Sequence, residues 1–126
     1  GRNTFEKILS FGIPWPYEKL VFVWTNTLTE VPNELKGKVE FISGSIDQVQ
    51  NRLNDSGKSN IYLDGGRTIS SFLNKGLIQE MILTTFPIVL GEGMPLFRDI
   101  KNELRFKCVK TELFLDAIVQ NTFVNV

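Results

Sequence analysis

Residues 60–77, Asn-Ile-Tyr-Leu-Asp-Gly-Gly-Arg-Thr-Ile-Ser-Ser-Phe-Leu-Asn-Lys-Gly-Leu, decide how the rest of the chain is read. Asn60 to Leu63 is a short apolar run with the β-favouring residues Ile61 and Tyr62, so it reads as a buried strand. Asp64, Gly65 and Gly66 interrupt the run. Ile69, Phe72 and Leu73 then recur at i, i+3 and i+4, the stripe of a helix packed on a sheet, and Gly76 closes it. Strand, glycine turn and helix follow one another in that order. Paired glycines let a backbone approach a neighbour closely, and a helix start offers unpaired N–H groups to an anion. Two readings stay open at this point, a tight connecting turn and a phosphate-binding turn.

The chain on either side supplies comparable strand ends. Leu20–Trp24 reads as a buried strand followed by Thr25-Asn26-Thr27. Val39–Ile42 is a second, followed by Ser43-Gly44. Ser45 with Gln48 forms a capping box, and Ile46, Val49 and Leu53 form the inner stripe of a helix that Gly57 ends. Short apolar strands alternating with helices and linkers imply a mostly parallel sheet. Its strand ends, Thr25/Asn26, Ser43/Gly44 and Gly65/Gly66, would then share one edge, where open α/β sheets bind ligands.

Upstream, Asn3-Thr4-Phe5-Glu6 has the form of a capping box with Asn3 as N-cap, and Phe5, Ile8 and Leu9 give that helix an apolar face. Arg2 beside this helix start is placed to hold a phosphate, or else is a solvated charge. Ile13-Pro14-Trp15-Pro16-Tyr17 is a rigid aromatic loop that packs on the core edge or touches a ligand. Downstream, Glu80–Leu90 returns to strand character until Pro87 bends it. Glu92, in a Gly-rich loop, reads as an exposed charge or as an acid near a substrate. Leu104–Leu115 and Ile118–Val126, joined at Asp116-Ala117, read as an antiparallel hairpin.

Composition narrows the chemistry. At 126 residues the chain reads as one domain, and 14 basic residues balance 14 acidic ones. That balance makes nucleic acid an unexpected partner. No apolar run reaches the roughly 20 residues of a membrane span. Cys108 is the only cysteine and histidine is absent, which excludes an internal disulfide, His-activated nucleophiles and the common metal cages. A reducing, cytoplasmic setting is expected, and no metal.

Taken together, these segments resemble a known family. Gly1-Arg2-Asn3-Thr4-Phe5-Glu6 resembles the G-R-x-T-x-E segment of the dihydrofolate reductase fold, and Asp64-Gly65-Gly66-Arg67 its glycine-rich pyrophosphate turn. Gly76-Leu77-Ile78-Gln79-Glu80, Phe86-Pro87-Ile88-Val89-Leu90-Gly91-Glu92-Gly93 and Leu96-Phe97 resemble G-L-x-D-E, P-x-x-L-G-x-G and L-F in the reductase domain of bacterial riboflavin-biosynthesis enzymes and their stand-alone relatives. Gln79 stands where that group has Asp. The resemblance implies an α/β dihydrofolate reductase-like fold over residues 1–126, with a mostly parallel central sheet and a C-terminal antiparallel hairpin. It implies an NADPH-dependent reductase of a small pterin- or pyrimidinone-like heterocycle. Arg2 would meet the 2′-phosphate end with Thr25 and Asn26. Gly1, Asn3 and Thr4 would lie at the pyrophosphate, Gly65, Gly66, Arg67 and Thr68 on its other side, and Ser43 by the adenine or its ribose. A strained peptide, open to the cis form, is a further family trait at the glycine turn. A homodimer paired through sheet edges is also implied.

One departure is large. The family's N-terminal strand and loop, which shape the substrate pocket and in many members supply the acid, have no counterpart in these residues, so an N-terminally incomplete domain is expected and no proton donor is named. The alternatives are a nucleotide-binding or structural module of the same fold without turnover and, last, a sheet binding FMN or another phosphate.

Overall fold

The computed structural model describes all of residues 1–126, in two compact units, residues 1–71 and 72–126. In the first unit, helix α1 (Arg2–Ser10) precedes strand β1 (Val21–Trp24), a 3-10 turn (Asn33–Leu35), strand β2 (Val39–Ile42) and helix α2 (Ile46–Asp55). Helix α3 (Gly66–Asn74) starts in the first unit and ends in the second. Strands β3 (Glu80–Thr85), β4 (Phe106–Phe114) and β5 (Ile118–Asn125) follow. No helix is long and apolar enough to cross a membrane.

β1 and β2 are parallel, with Val21 opposite Val39 and Trp24 opposite Ile42. Alternation puts Val21, Val23, Val39 and Phe41 on one face. There Phe5 of α1, Val23, Leu35 and Val39 form a buried cluster, with Trp15, Leu28, Val31 and Phe41 packed around it. Phe5 meets Trp15 and Phe41 edge to face, with ring centroids 5.9 and 5.5 Å apart. The loop Trp is thus a packing residue, although its Nε1 is buried with no hydrogen-bond partner. On α2, Val49 and Leu53 are the buried residues of the expected stripe. Arg52 of α2 pairs with Glu40, which alternation assigns to the other face of the sheet.

The expected capping box on α2 is present: the Gln48 N–H donates to Ser45 Oγ, and the Ser45 N–H to Gln48 Oε1. The one expected at Asn3 is not. The Phe5 N–H donates to the Gly1 carbonyl, so the helix starts earlier, with Gly1 as N-cap and no side-chain cap. Asn3 then lies inside the first turn, and Glu6 pairs with Arg2 instead.

The mostly parallel sheet is also corrected. Only β1 and β2 run parallel; β3, β5 and β4 form a separate antiparallel sheet in that order. Asn60–Leu63 is not a strand, and Tyr62 is 91% exposed. A ladder is made of backbone bonds between neighbours, and no segment pairs with this one. All peptide bonds are trans, so no cis peptide occurs at the glycine turn.

The second unit is built on the hairpin as read. β4 and β5 pair antiparallel with a register shift between Cys108 and Lys110. The turn takes positive φ at Leu115 (52°) and Asp116 (54°), the left-handed geometry that tight hairpins require. β3 stops at Thr85, short of Pro87, as a missing ladder donor dictates.

Two substitutions separate core from cap. Leu53→Ala should cost about 2–5 kcal/mol as a buried truncation. Ser45→Ala should cost about 1 kcal/mol as a lost N-cap. Urea unfolding of both variants checks the order, and a larger loss at Ser45 would refute this account of α2.

Candidate functional site

The site candidates of the first unit meet where α1 and α3 begin. A methyl group on Gly65 would lie 2.9 Å from Thr4 Oγ1 and 3.8 Å from the Gly1 nitrogen; one on Gly1 would lie 3.0 Å from Thr68 Oγ1. Each helix start thus approaches the other through a glycine; at Gly65 a side chain would force Thr4 to shift, and at Gly1 it would crowd Thr68. Gly65 has φ +94°, a conformation L-residues rarely adopt. The Ile69 N–H donates to its carbonyl, making Gly65 the residue that opens α3.

No side chain caps the start of α1. The N–H groups of Arg2, Asn3 and Thr4, and those of Gly66, Arg67 and Thr68, are the donors that α-helix geometry leaves unpaired. Such groups carry partial positive charge and favour an anion by about 0.3–1 kcal/mol per helix end. The start of α2 differs, because the side chains of Ser45 and Gln48 take up two of its N–H groups.

The Asp64 carboxylate works against an anion. Its Oδ1 accepts the Gly65 N–H at 2.7 Å, which orders the turn and uses one donor. Its negative charge is felt nearby. Burial, then Asp64, then Tyr62 push the Tyr17 phenol above its usual range.

Arg2 joins this cradle to the end of β1. One of its terminal nitrogens donates to Thr27 Oγ1 at 3.0 Å, and its Nε lies 3.6 Å from Glu6 Oε2. Thr27 is itself fixed. Its N–H and that of Leu28 donate to Thr25 Oγ1 at 3.2 and 3.1 Å, and the Thr25 N–H donates to the Ile42 carbonyl. Thr25 is only 6% exposed, so its hydroxyl shapes the loop from beneath. Asn26 and Trp24 grip the end of β2: the Gly44 N–H donates to Asn26 Oδ1 at 3.0 Å, and Trp24 Nε1 donates to the Gly44 carbonyl at 3.1 Å. Gly44 is at φ +105°, and a methyl group there would lie 2.4 Å from Gln48.

The structure therefore brings Gly1, Arg2, Thr4, Gly65 and Thr68 into one cluster and ties Thr25 and Asn26 to it through Thr27. Ser43 is exposed on the same rim beside Gly44. Asn3, Gly66 and Arg67 are exposed in the first turns of their helices. Glu92 belongs to the second unit and is exposed. No group of His, Cys, Asp or Glu could hold a metal. Thr27 and Glu6 stand out in the sequence, as part of the Thr-Asn-Thr loop and of the expected cap, but their contacts with Arg2 were not read from it. Their signals were present, a Thr two residues after another in a turn and a Glu four residues after Arg on a helix.

The profile of the RibD C-terminal domain family matches residues 17–119. The chain is 36% identical over 105 residues to the uncharacterised Bacillus subtilis (strain 168) protein YyaP, covering 82% of this chain and 54% of that protein. It thus spans about half the length of that relative. A Shewanella sp. PV-4 crystal structure, provisionally assigned to riboflavin biosynthesis, superposes with TM-score 0.94 at 44% identity, over 100% of this chain and 71% of that one. Acinetobacter baumannii RibD (form 2) gives TM-score 0.53 at 20% identity, over 85% of this chain and 37% of that one, a likeness of fold alone.

The glycine contact predicts a sharp contrast. Gly65→Ala should destabilise the protein and abolish anion binding at the two helix starts. Gly66→Ala, with nothing within 4 Å of its added methyl and no positive φ, should leave stability equal or slightly higher. Thermal melts with and without pyrophosphate check both; equal effects would refute the close-approach role of Gly65.

Proposed function

The chain belongs to the RibD C-terminal domain family, and on that premise we propose that it binds NADPH and serves as a reductase of a small heterocycle such as a pterin or pyrimidinone. The observation that carries this reading is the junction of two helix starts that close on each other at Gly1 and Gly65. A diphosphate needs several N–H donors at close range, and the two helix starts offer them, although Asp64 already holds the Gly65 N–H. The residues present fit the cofactor. Gly1, Asn3 and Thr4 would face one side of the pyrophosphate, and Gly65, Gly66, Arg67 and Thr68 the other. Arg2 would meet the 2′-phosphate, with the Thr25–Asn26 loop beneath it and Ser43 toward the adenosine.

When bound, the nicotinamide supplies the hydride, and the protein's part is to bind and orient it. In this reading Arg2 and Arg67 offset the negative charges of Asp64 and Glu6 around a strongly anionic ligand. A second reading is a nucleotide-binding module without turnover. It is favoured by the absence from the rim of any carboxylic acid other than Asp64 and Glu6, both already engaged.

NADPH should raise the melting temperature of the full-length protein more than NADH does, by mass action. Arg2→Ala should remove the difference between the two. Oxidation of NADPH across a panel of pterins and pyrimidinones then separates the readings: turnover supports the reductase, and binding without turnover the module. No stabilisation by either nucleotide would end both.

A further inference from the structure

Arg2 is not waiting free for a ligand. Its Nε faces Glu6 Oε2 at 3.6 Å, and one terminal nitrogen donates to Thr27 Oγ1 at 3.0 Å. A guanidinium has five N–H donors in a planar fork. With Glu6 on the Nε side and Thr27 on one terminal hydrogen, the remaining terminal donors have no partner in the chain and form the edge available to an anion. The two contacts differ in kind. Thr27 is neutral and is itself pinned through Thr25, so it orients the fork without opposing an anion. Glu6 also orients the fork, but its charge repels any dianion placed on the free edge.

We propose that Glu6 and Thr27 together set how strongly this site prefers a 2′-phosphorylated dinucleotide to an unphosphorylated one, with Thr27 strengthening the preference and the charge of Glu6 limiting it. The inference rests on the reading in which Arg2 meets the 2′-phosphate. It assigns specificity to two residues that touch the arginine. Both side chains of the ion pair are about half exposed, 45% for Arg2 and 52% for Glu6, so the charge effect is modest and screened by salt.

The test compares NADP⁺ and NAD⁺ binding by calorimetry in the full-length protein, with Glu6→Gln and Thr27→Val. Gln keeps an acceptor for the Arg2 Nε while removing the charge. Glu6→Gln should tighten NADP⁺ by about two- to fivefold, the size of an exposed charge interaction, and leave NAD⁺ unchanged. The gain should shrink as salt rises, which a purely structural effect would not do. Thr27→Val should weaken NADP⁺ with little effect on NAD⁺. If wild type prefers NADP⁺ and neither variant changes the ratio, the inference fails while the site stands. If wild type binds both equally, the Arg2 reading fails and takes the inference with it. Binding of neither overturns the nucleotide reading itself.

Discussion

The first unit depends on two glycines placed against two threonines. Gly65 against Thr4 and Gly1 against Thr68 bring the starts of α1 and α3 to van der Waals contact. Like partial charges at two helix N-termini repel, so this juxtaposition costs electrostatic energy in the empty state. The chain meets that cost without capping the helices. Asp64 places a carboxylate at the turn and takes one N–H, while Phe5, one residue beyond Thr4, is buried in the aromatic cluster. Packing energy from Phe5, Trp15 and Phe41 holds in place an arrangement that local electrostatics disfavours.

The three helix starts show that the arrangement is selective. α2 has the full reciprocal cap of Ser45 and Gln48, so this chain uses a standard cap where a helix only needs to begin. α1 and α3 have glycine where that cap would be. At an N-cap glycine is only a few tenths of a kcal/mol poorer than Ser or Asp, and it lets another backbone or side chain approach closely. The charges of Asp64 and Glu6 offset part of the positive potential of these two starts.

Much of this was legible in the sequence because it depended on local chemistry. The glycine turn, the α2 cap, the Thr-Asn-Thr loop and the hairpin each need only a few neighbouring residues to declare themselves. Asn60–Leu63 was misread because strand formation is not local. Ile61 and Tyr62 have the propensity, but a strand exists only when a neighbour pairs with its backbone, and here none does. The Asn3 cap failed for a different reason. Arg2 takes the Glu6 carboxylate four residues on, the group that a capping box at Asn3 needs, and the Gly1 carbonyl accepts the Phe5 N–H and so opens the helix earlier.

Arg2 shows how a binding loop and a helix can be coupled without a large interface. A buried hydroxyl, Thr25, receives two backbone N–H groups and so fixes Thr27; Thr27 fixes the guanidinium; and the guanidinium sits on the first turn of α1, whose start rests on Gly65. Each link is a single hydrogen bond or contact worth about 1 kcal/mol, too little to stabilise the fold alone. In series they fix the spacing between the end of β1 and the glycine cradle. In the proposed reading a ligand with two anionic groups would have to match that spacing, so its discrimination would rest on distance held by weak links more than on the strength of any one of them.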